Sequence, residues 1–183
     1  MAKQIANKMA PLWGNIFSAL NFSKQESEVD ILKKIPIFQD LRKRELNIVS
    51  KILYERKYEA GEYMFETGQP GAAMFIIKEG SVQITRTSKS GEELVLANIG
   101  SGDFVGELAL LDSSARSASA YVIKNTVAVA IFRSDLEKLF ESNPDLGNKV
   151  MRRLATVIGL RLKATNELLI NLEDEYGNQQ NEP

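Results

Sequence analysis

The chain has 183 residues, a net charge of −1, 44% apolar side chains, no histidine and no cysteine. These figures bound a single core-forming domain with extra helices, and they exclude a broad electrostatic grip on nucleic acid, disulfides, thiolate metal sites and histidine-based catalysis. No apolar run approaches the roughly 20 residues of a membrane-spanning helix, and no signal-peptide core opens the chain, so a cytoplasmic location is expected.

Met9, Leu12, Trp13, Ile16, Phe17 and Leu20 recur at helical spacing behind Pro11, which predicts an amphipathic helix over residues 9–20. Its apolar face suits packing on its own domain or a sister subunit, or docking on a partner or membrane surface. Polar residues 23–30 read as a linker or helix start, and residues 1–28 are set apart as an N-terminal helix and linker. Val29, Ile31, Leu32 and Ile35 then lead to Pro36, which ends a short helix. A second helical pattern covers Leu41 to Tyr54, with Leu46, Val49, Ile52 and Leu53 as its stripe; its basic run Arg42-Lys43-Arg44 forms a solvated face or attracts an acidic partner.

From Tyr58 the pattern shifts. Eight of the twelve glycines fall between Gly61 and Gly106. Short apolar or alternating runs lie among and after them: Tyr63–Glu66, Met74–Lys78, Ser81–Thr87, Glu93–Ile99, Ser119–Ile123 and Val127–Phe132. Such spacing predicts a mainly β fold, an antiparallel β-roll or jelly roll with flanking helices, over residues 29–142. Residues 89–92 read as a hairpin tip. Ser134 is placed as the cap of a helix over Asp135–Phe140.

Pro144 opens a last helix, assigned to residues 143–176, with a frayed tail over 177–183. Leu154, Ile158, Leu162, Thr165, Leu169, Leu172 and Tyr176 line one face of it. The roll can cover only the first half of that face, so the remainder predicts pairing with the same helix of a second copy, a homodimer.

The most informative stretch is Phe104 to Val122. Gly106 allows a tight turn or a close backbone approach, and Leu108, Ala109, Leu110 and Leu111 favour a short helix beginning near Glu107. A helix start offers unpaired N–H groups to an anion, and Arg116 adds a planar fork of donors. The pattern suits one small phosphate, with Glu107 free to accept from sugar hydroxyls. Structural alternatives stand beside each role: a salt bridge of Arg116 to Glu107 or Asp112, a dipole-serving Glu107, and a plain strand Ser117.

Gly106-Glu107-Leu108-Ala109-Leu110 followed by Arg116-Ser117-Ala118 resembles the phosphate-binding cassette of cyclic-nucleotide-binding domains, as found in the catabolite activator family and in kinase regulatory subunits. The resemblance runs from about Ile31 to Asn166 and includes Gly68-Gln69-Pro70-Gly71 and Phe75-Ile76-Ile77-Lys78-Glu79-Gly80. Ala115 departs from it, since many relatives carry proline there. The resemblance implies backbone donors at Gly106, Leu108 and Ala109, phosphate contacts from Arg116 and Ser117, a small Ala118, and Glu107 on the ribose 2′-hydroxyl. It implies a base lying against Ile84, Ala97 and Ile99, with Arg161 near the point where relatives cap the base. Lack of cysteine and histidine argues against the iron–sulfur and haem-sensing branches.

The expected function is therefore a sensor of cAMP or cGMP, cAMP being favoured, that passes binding to its C-terminal helix. No second domain follows, so no DNA-reading helix-turn-helix is expected and the output would go to a protein effector or through dimer geometry. The alternative is an interaction scaffold that kept the roll and lost the ligand; retention of Glu107 and Arg116 counts against it. An enzyme such as a phosphodiesterase has no support, because no metal-ligand cluster and no nucleophile–base pair is present.

Overall fold

A computed structural model describes residues 26–88 and 90–180, with residues 168, 172 and 175–180 described by their backbone alone. The helix expected over residues 9–20 lies outside the described residues. Helix α1, Glu28–Lys34, starts where the Ser27 hydroxyl accepts from the Asp30 amide at 3.3 Å, and it stops at Ile35, held extended before Pro36. Helix α2 is Lys43–Val49, followed by a 3₁₀ turn at Ser50–Ile52 and then by strand β1, Leu53–Tyr58. The expected helix to Tyr54 is therefore corrected. Leu53 keeps helical spacing from Leu46 and Val49, but its backbone pairs with Ile131, and the sheet claims it.

The remaining elements are β2 (Tyr63–Phe65), β3 (Ala73–Thr87), β4 (Glu93–Gly100), β5 (Phe104–Val105), β6 (Ser119–Phe132), α3 (Arg133–Ser142) and α4 (Pro144–Gln180). They form an antiparallel sheet in the order β1-β6-β3-β4, with β2 added to β6 and β5 added to β3. The roll expected from the glycine-punctuated runs is present, with two differences. Met74–Lys78 and Ser81–Thr87 belong to one continuous strand, as do Ser119–Ile123 and Val127–Phe132. The breaks in their pattern are register shifts between β3 and β6 from Ile77 to Val82, where extra residues flip the alternation. The hairpin tip closes through the Ser88 amide on the Glu92 carbonyl at 2.8 Å.

Helix α3 is capped at Phe132, two residues earlier in the chain than a Ser134 cap requires, so Ser134 lies inside the helix. Helix α4 has Pro144 as its first residue and continues past the expected end at residue 176 to Gln180. None of the helices among the described residues is long and apolar enough to cross a membrane.

Strand alternation divides the apolar residues into two cores. Met74 and Ile76 of β3, with Val129 and Ile131 of β6, face the helices and pack on Ile31, Phe38, Leu136, Leu146, Val150, Leu154 and Val157. Phe75, Ile77, Val82 and Ile84, with Ala128 and Ala130, face the interior of the roll. The cassette straddles this divide: Phe104 and Leu110 belong to the helical core, while Val105 belongs to the roll.

Gly80 makes the long β3 strand possible. Its φ is +104°, and a Cβ there would overlap the Thr126 hydroxyl, the Asn125 carbonyl and the Thr126 Cα. A Gly80→Ala variant is expected to lose about 2–4 kcal/mol from strain and overlap. Melting should fall by roughly 5–15 °C, read by circular dichroism. A variant melting within 2 °C of the parent, taken as about the resolution that matters here, would show that the strand bends some other way.

Candidate functional site

One cavity of about 110 Å³ lies where β5, the turn after it and the loop into β6 meet. Gly106 begins it in the left-handed region at φ +81°, which only glycine adopts without strain. Glu107–Leu110 then forms a single 3₁₀ turn rather than a longer helix, because the chain must reverse at Leu111 toward the loop. The Ala109 amide already donates to the Gly106 carbonyl at 3.1 Å, so in this conformation it serves the turn itself.

Arg116 is clamped by its backbone to the 66–71 turn: its amide donates to Gln69 O at 2.8 Å, and its carbonyl accepts from Gly68 N at 2.9 Å. The guanidinium enters the cavity wall. Nη2 donates to Ala73 O at 2.6 Å and Nη1 to Gly106 O at 3.4 Å, and Cζ sits 4.1 Å from the centre of the Phe65 ring. Nε is buried with no hydrogen-bond partner. Burial pulls the Arg116 pKa down, and the charge of Glu107 works against that shift. A buried donor without an acceptor is costly, and an anion entering the cavity relieves it.

Glu107 is not the partner of Arg116. Its Oε1 lies 2.5 Å from Nη1 of Arg161 on α4, and both side chains are at most 10% exposed. Arg161 also donates through Nη2 to Phe104 O at 3.3 Å and stacks on the Phe104 ring at 4.8 Å. Arg161 is therefore neither a surface arginine nor part of the cavity lining; it ties α4 to the cassette. Asp103, close to Arg161, has its carboxyl pushed up mainly by burial, against the Gly100 amide and the Arg161 charge.

The structure brings Gly106, Glu107, Leu108, Ala109, Arg116, Ser117, Ala118 and Ile84 together around this cavity. Ala97 and Ile99 do not line it. They are 0% and 3% exposed, pair with Ile84 and Val82, and fill the roll interior one strand further out.

Sequence reasoning missed several contributors. Phe65 comes from β2 and Gly71 from the turn after it, well before the cassette in the chain, and a Cβ on Gly71 would press at 3.0 Å on Ala109 and on the Ser114 carbonyl. Arg133, the first residue of α3, sends Nη1 to the carbonyls of Gly71 (3.4 Å), Ala109 (3.3 Å) and Asp112. It fastens the cassette to the strand–helix corner, and no local pattern in the sequence marks it. Removing it leaves carbonyls short of donors, so Arg133→Ala is expected to cost about 1–3 kcal/mol. Amide exchange over residues 109–116 should accelerate while the strands stay protected. Unchanged exchange there would show that the cassette holds without this side chain.

A family model for the cyclic nucleotide-binding domain matches residues 55–143. The Cyclic AMP receptor protein of Thermus thermophilus is 33% identical over 132 residues, which cover 72% of this chain and 59% of that protein, so the chain spans about three fifths of such a relative. The crystal structure of the Thermus thermophilus catabolite activator protein superposes with a TM-score of 0.68 at 32% identity, covering 76% of this chain and 63% of that one. The regulatory domain of Toxoplasma gondii PKA, crystallised with cAMP, superposes with a TM-score of 0.56 at 28% identity, covering 63% of this chain and 42% of that one.

Proposed function

Given that the chain carries a cyclic nucleotide-binding domain and belongs to that family, we propose that it is a non-catalytic sensor of a cyclic nucleotide, cAMP in preference to cGMP, acting in the cytoplasm. The observation that carries the reading is the Arg116 guanidinium on the cavity wall with its Nε buried and unsatisfied. The cyclic phosphate's oxygens would accept from that donor, with Gly106 and Leu108 giving backbone close approach and Ser117, exposed on the cavity rim, adding a hydroxyl. Glu107 would accept the ribose 2′-hydroxyl. The cavity of about 110 Å³ would take the phosphate–ribose end, with the base lying against Ile84.

Transmission follows from the Glu107–Arg161 pair. A ribose hydroxyl on Glu107 alters the pairing of the same carboxylate that holds α4. The ligand therefore binds one position of α4 better than another, and that differential affinity is what shifts the population. A protein effector or a second copy reads the new position of α4.

Titration calorimetry tests the proposal on protein stripped of nucleotide by unfolding and refolding. Saturable heat with cAMP, stronger than with cGMP, is expected. No heat and no thermal shift with either would leave the alternative, a scaffold with the same fold.

A further inference from the structure

We propose that the groove between α2 and the first turns of α4 is a docking surface for an acidic segment of a partner protein. This gives a chemistry to the effector named above, and only its coupling to nucleotide rests on that reading. The groove is a polar cleft of about 670 Å³. One wall is made by Asp40, Arg42, Arg44 and Glu45, in α2 and just before it. The other runs up α4 from Asp145 to Thr156, on residues three and four apart, as a single face about 16 Å long.

Five cations line the cleft against three acids. Two of the cations tie the walls together. Lys149 Nζ lies 2.6 Å from Glu45 Oε1, and Arg153 Nε lies 3.7 Å from Asp40 Oδ2 while donating to the Pro36 carbonyl at 3.0 Å. Arg42, Arg44 and Arg152 are exposed and make no salt bridge among the described residues. A lone exposed arginine is ordinarily just solvated. Three of them lining one concave surface, from two different elements, leave it with donors suited to carboxylates and a field that favours acid.

The same lining favours polypeptide over other anions. Asp40, Glu45 and Asp145 interrupt the positive surface, so a continuous phosphate backbone would meet like charge. None of the cleft's cations is buried, so a free phosphate has no enclosed cradle. The cleft also shares Arg44, Glu45 and Asp145 with a second hollow of about 300 Å³, whose lining includes Ile48 and Pro144. That hollow suits an apolar side chain, which a polypeptide supplies and a phosphate polymer does not. At ~3.3 Å per residue, the 16 Å face takes about five residues of extended chain.

The position of the groove couples it to the cavity. Helix α4 is held to the α2 wall through Lys149 and Arg153, and to the cassette through Arg161 on Glu107. A ligand that alters the Glu107–Arg161 pair therefore bears on the wall that carries Arg152.

The test uses the full chain and a fluorescent peptide of four glutamates spaced by glycines and ended by a leucine, read by anisotropy at low salt. The parent should bind it about tenfold more tightly than the glutamine counterpart, and added salt should weaken it. Arg44→Glu with Arg152→Glu should weaken binding about tenfold and reverse the preference toward a lysine counterpart. Both side chains are exposed, so melting should stay close to that of the parent. Equal affinity for the glutamate and glutamine peptides, or unchanged binding by the double variant, overturns the proposal. So does displacement by inorganic phosphate but not by chloride at equal ionic strength, or tighter binding of an oligonucleotide of equal charge. Saturating cAMP should change the peptide's affinity several-fold, and an unchanged affinity on cAMP-loaded protein overturns the coupling. A chain that binds the peptide but gives no heat with cAMP would defeat the sensor reading and leave the docking surface standing.

Discussion

An Arg116→Ala variant is expected to bind cyclic nucleotide some tens to a few thousand times more weakly than the parent. That range corresponds to the about 2–5 kcal/mol lost when one partner of a desolvated charge pair is removed. The guanidinium is half-buried over Phe65, and its Nε faces no acceptor until an anion arrives. Truncation also strips donors from the Ala73 and Gly106 carbonyls, so a modest fall in melting temperature accompanies the loss. Arg116→Lys separates the two effects. It keeps the charge but not the fork, and its affinity should fall between parent and Ala variant. Calorimetry on all three proteins reads this order, and equal affinity of Arg116→Ala and parent would remove Arg116 from the phosphate site.

An Arg161→Ala variant should be the least stable of the single site variants. Glu107 would keep a buried carboxylate with its cation gone, a change that costs about 3–5 kcal/mol. For a chain of this size that is roughly 6–20 °C in melting temperature. Adding Glu107→Gln should recover most of the loss, because the buried charge goes with its partner. Four melting curves complete the cycle. Additive losses, with no recovery in the double variant, would mean that the pair contributes little and that α4 is held by its apolar face alone. The same cycle repeated with saturating cAMP asks whether ligand reads the pair: the coupling between the two positions should change.

Much of the site was legible because the cassette is contiguous. Gly106 through Ala109 and Arg116 through Ala118 sit within one short stretch, and a positive-φ glycine followed by an acid and then an arginine is a pattern that local sequence can hold. The parts that were not legible come from elsewhere. Phe65, Gly71 and Arg133 reach the cassette only after β3 and β6 pair, and Arg161 meets Glu107 only after α4 packs back across the roll. The fold shows the same division. Glycine spacing announced the roll, but register shifts near Gly80 split long strands into apparent short ones, and β1 was read as helix because Leu46, Val49 and Leu53 satisfy a helical period. Its own residues from Tyr54 to Lys57 have no buried member to announce a strand.

The straddling of two cores by one short stretch has a practical outcome for anyone who would retune this protein. Phe104 and Leu110 anchor among the helices while Val105 anchors in the roll, and the residues between them line the cavity. Libraries randomised over positions 104–110 should therefore yield clones in which ligand selectivity and expression yield rise and fall together. Selectivity is more readily redesigned from Phe65 or Ser117, whose neighbours do not bridge the two interiors.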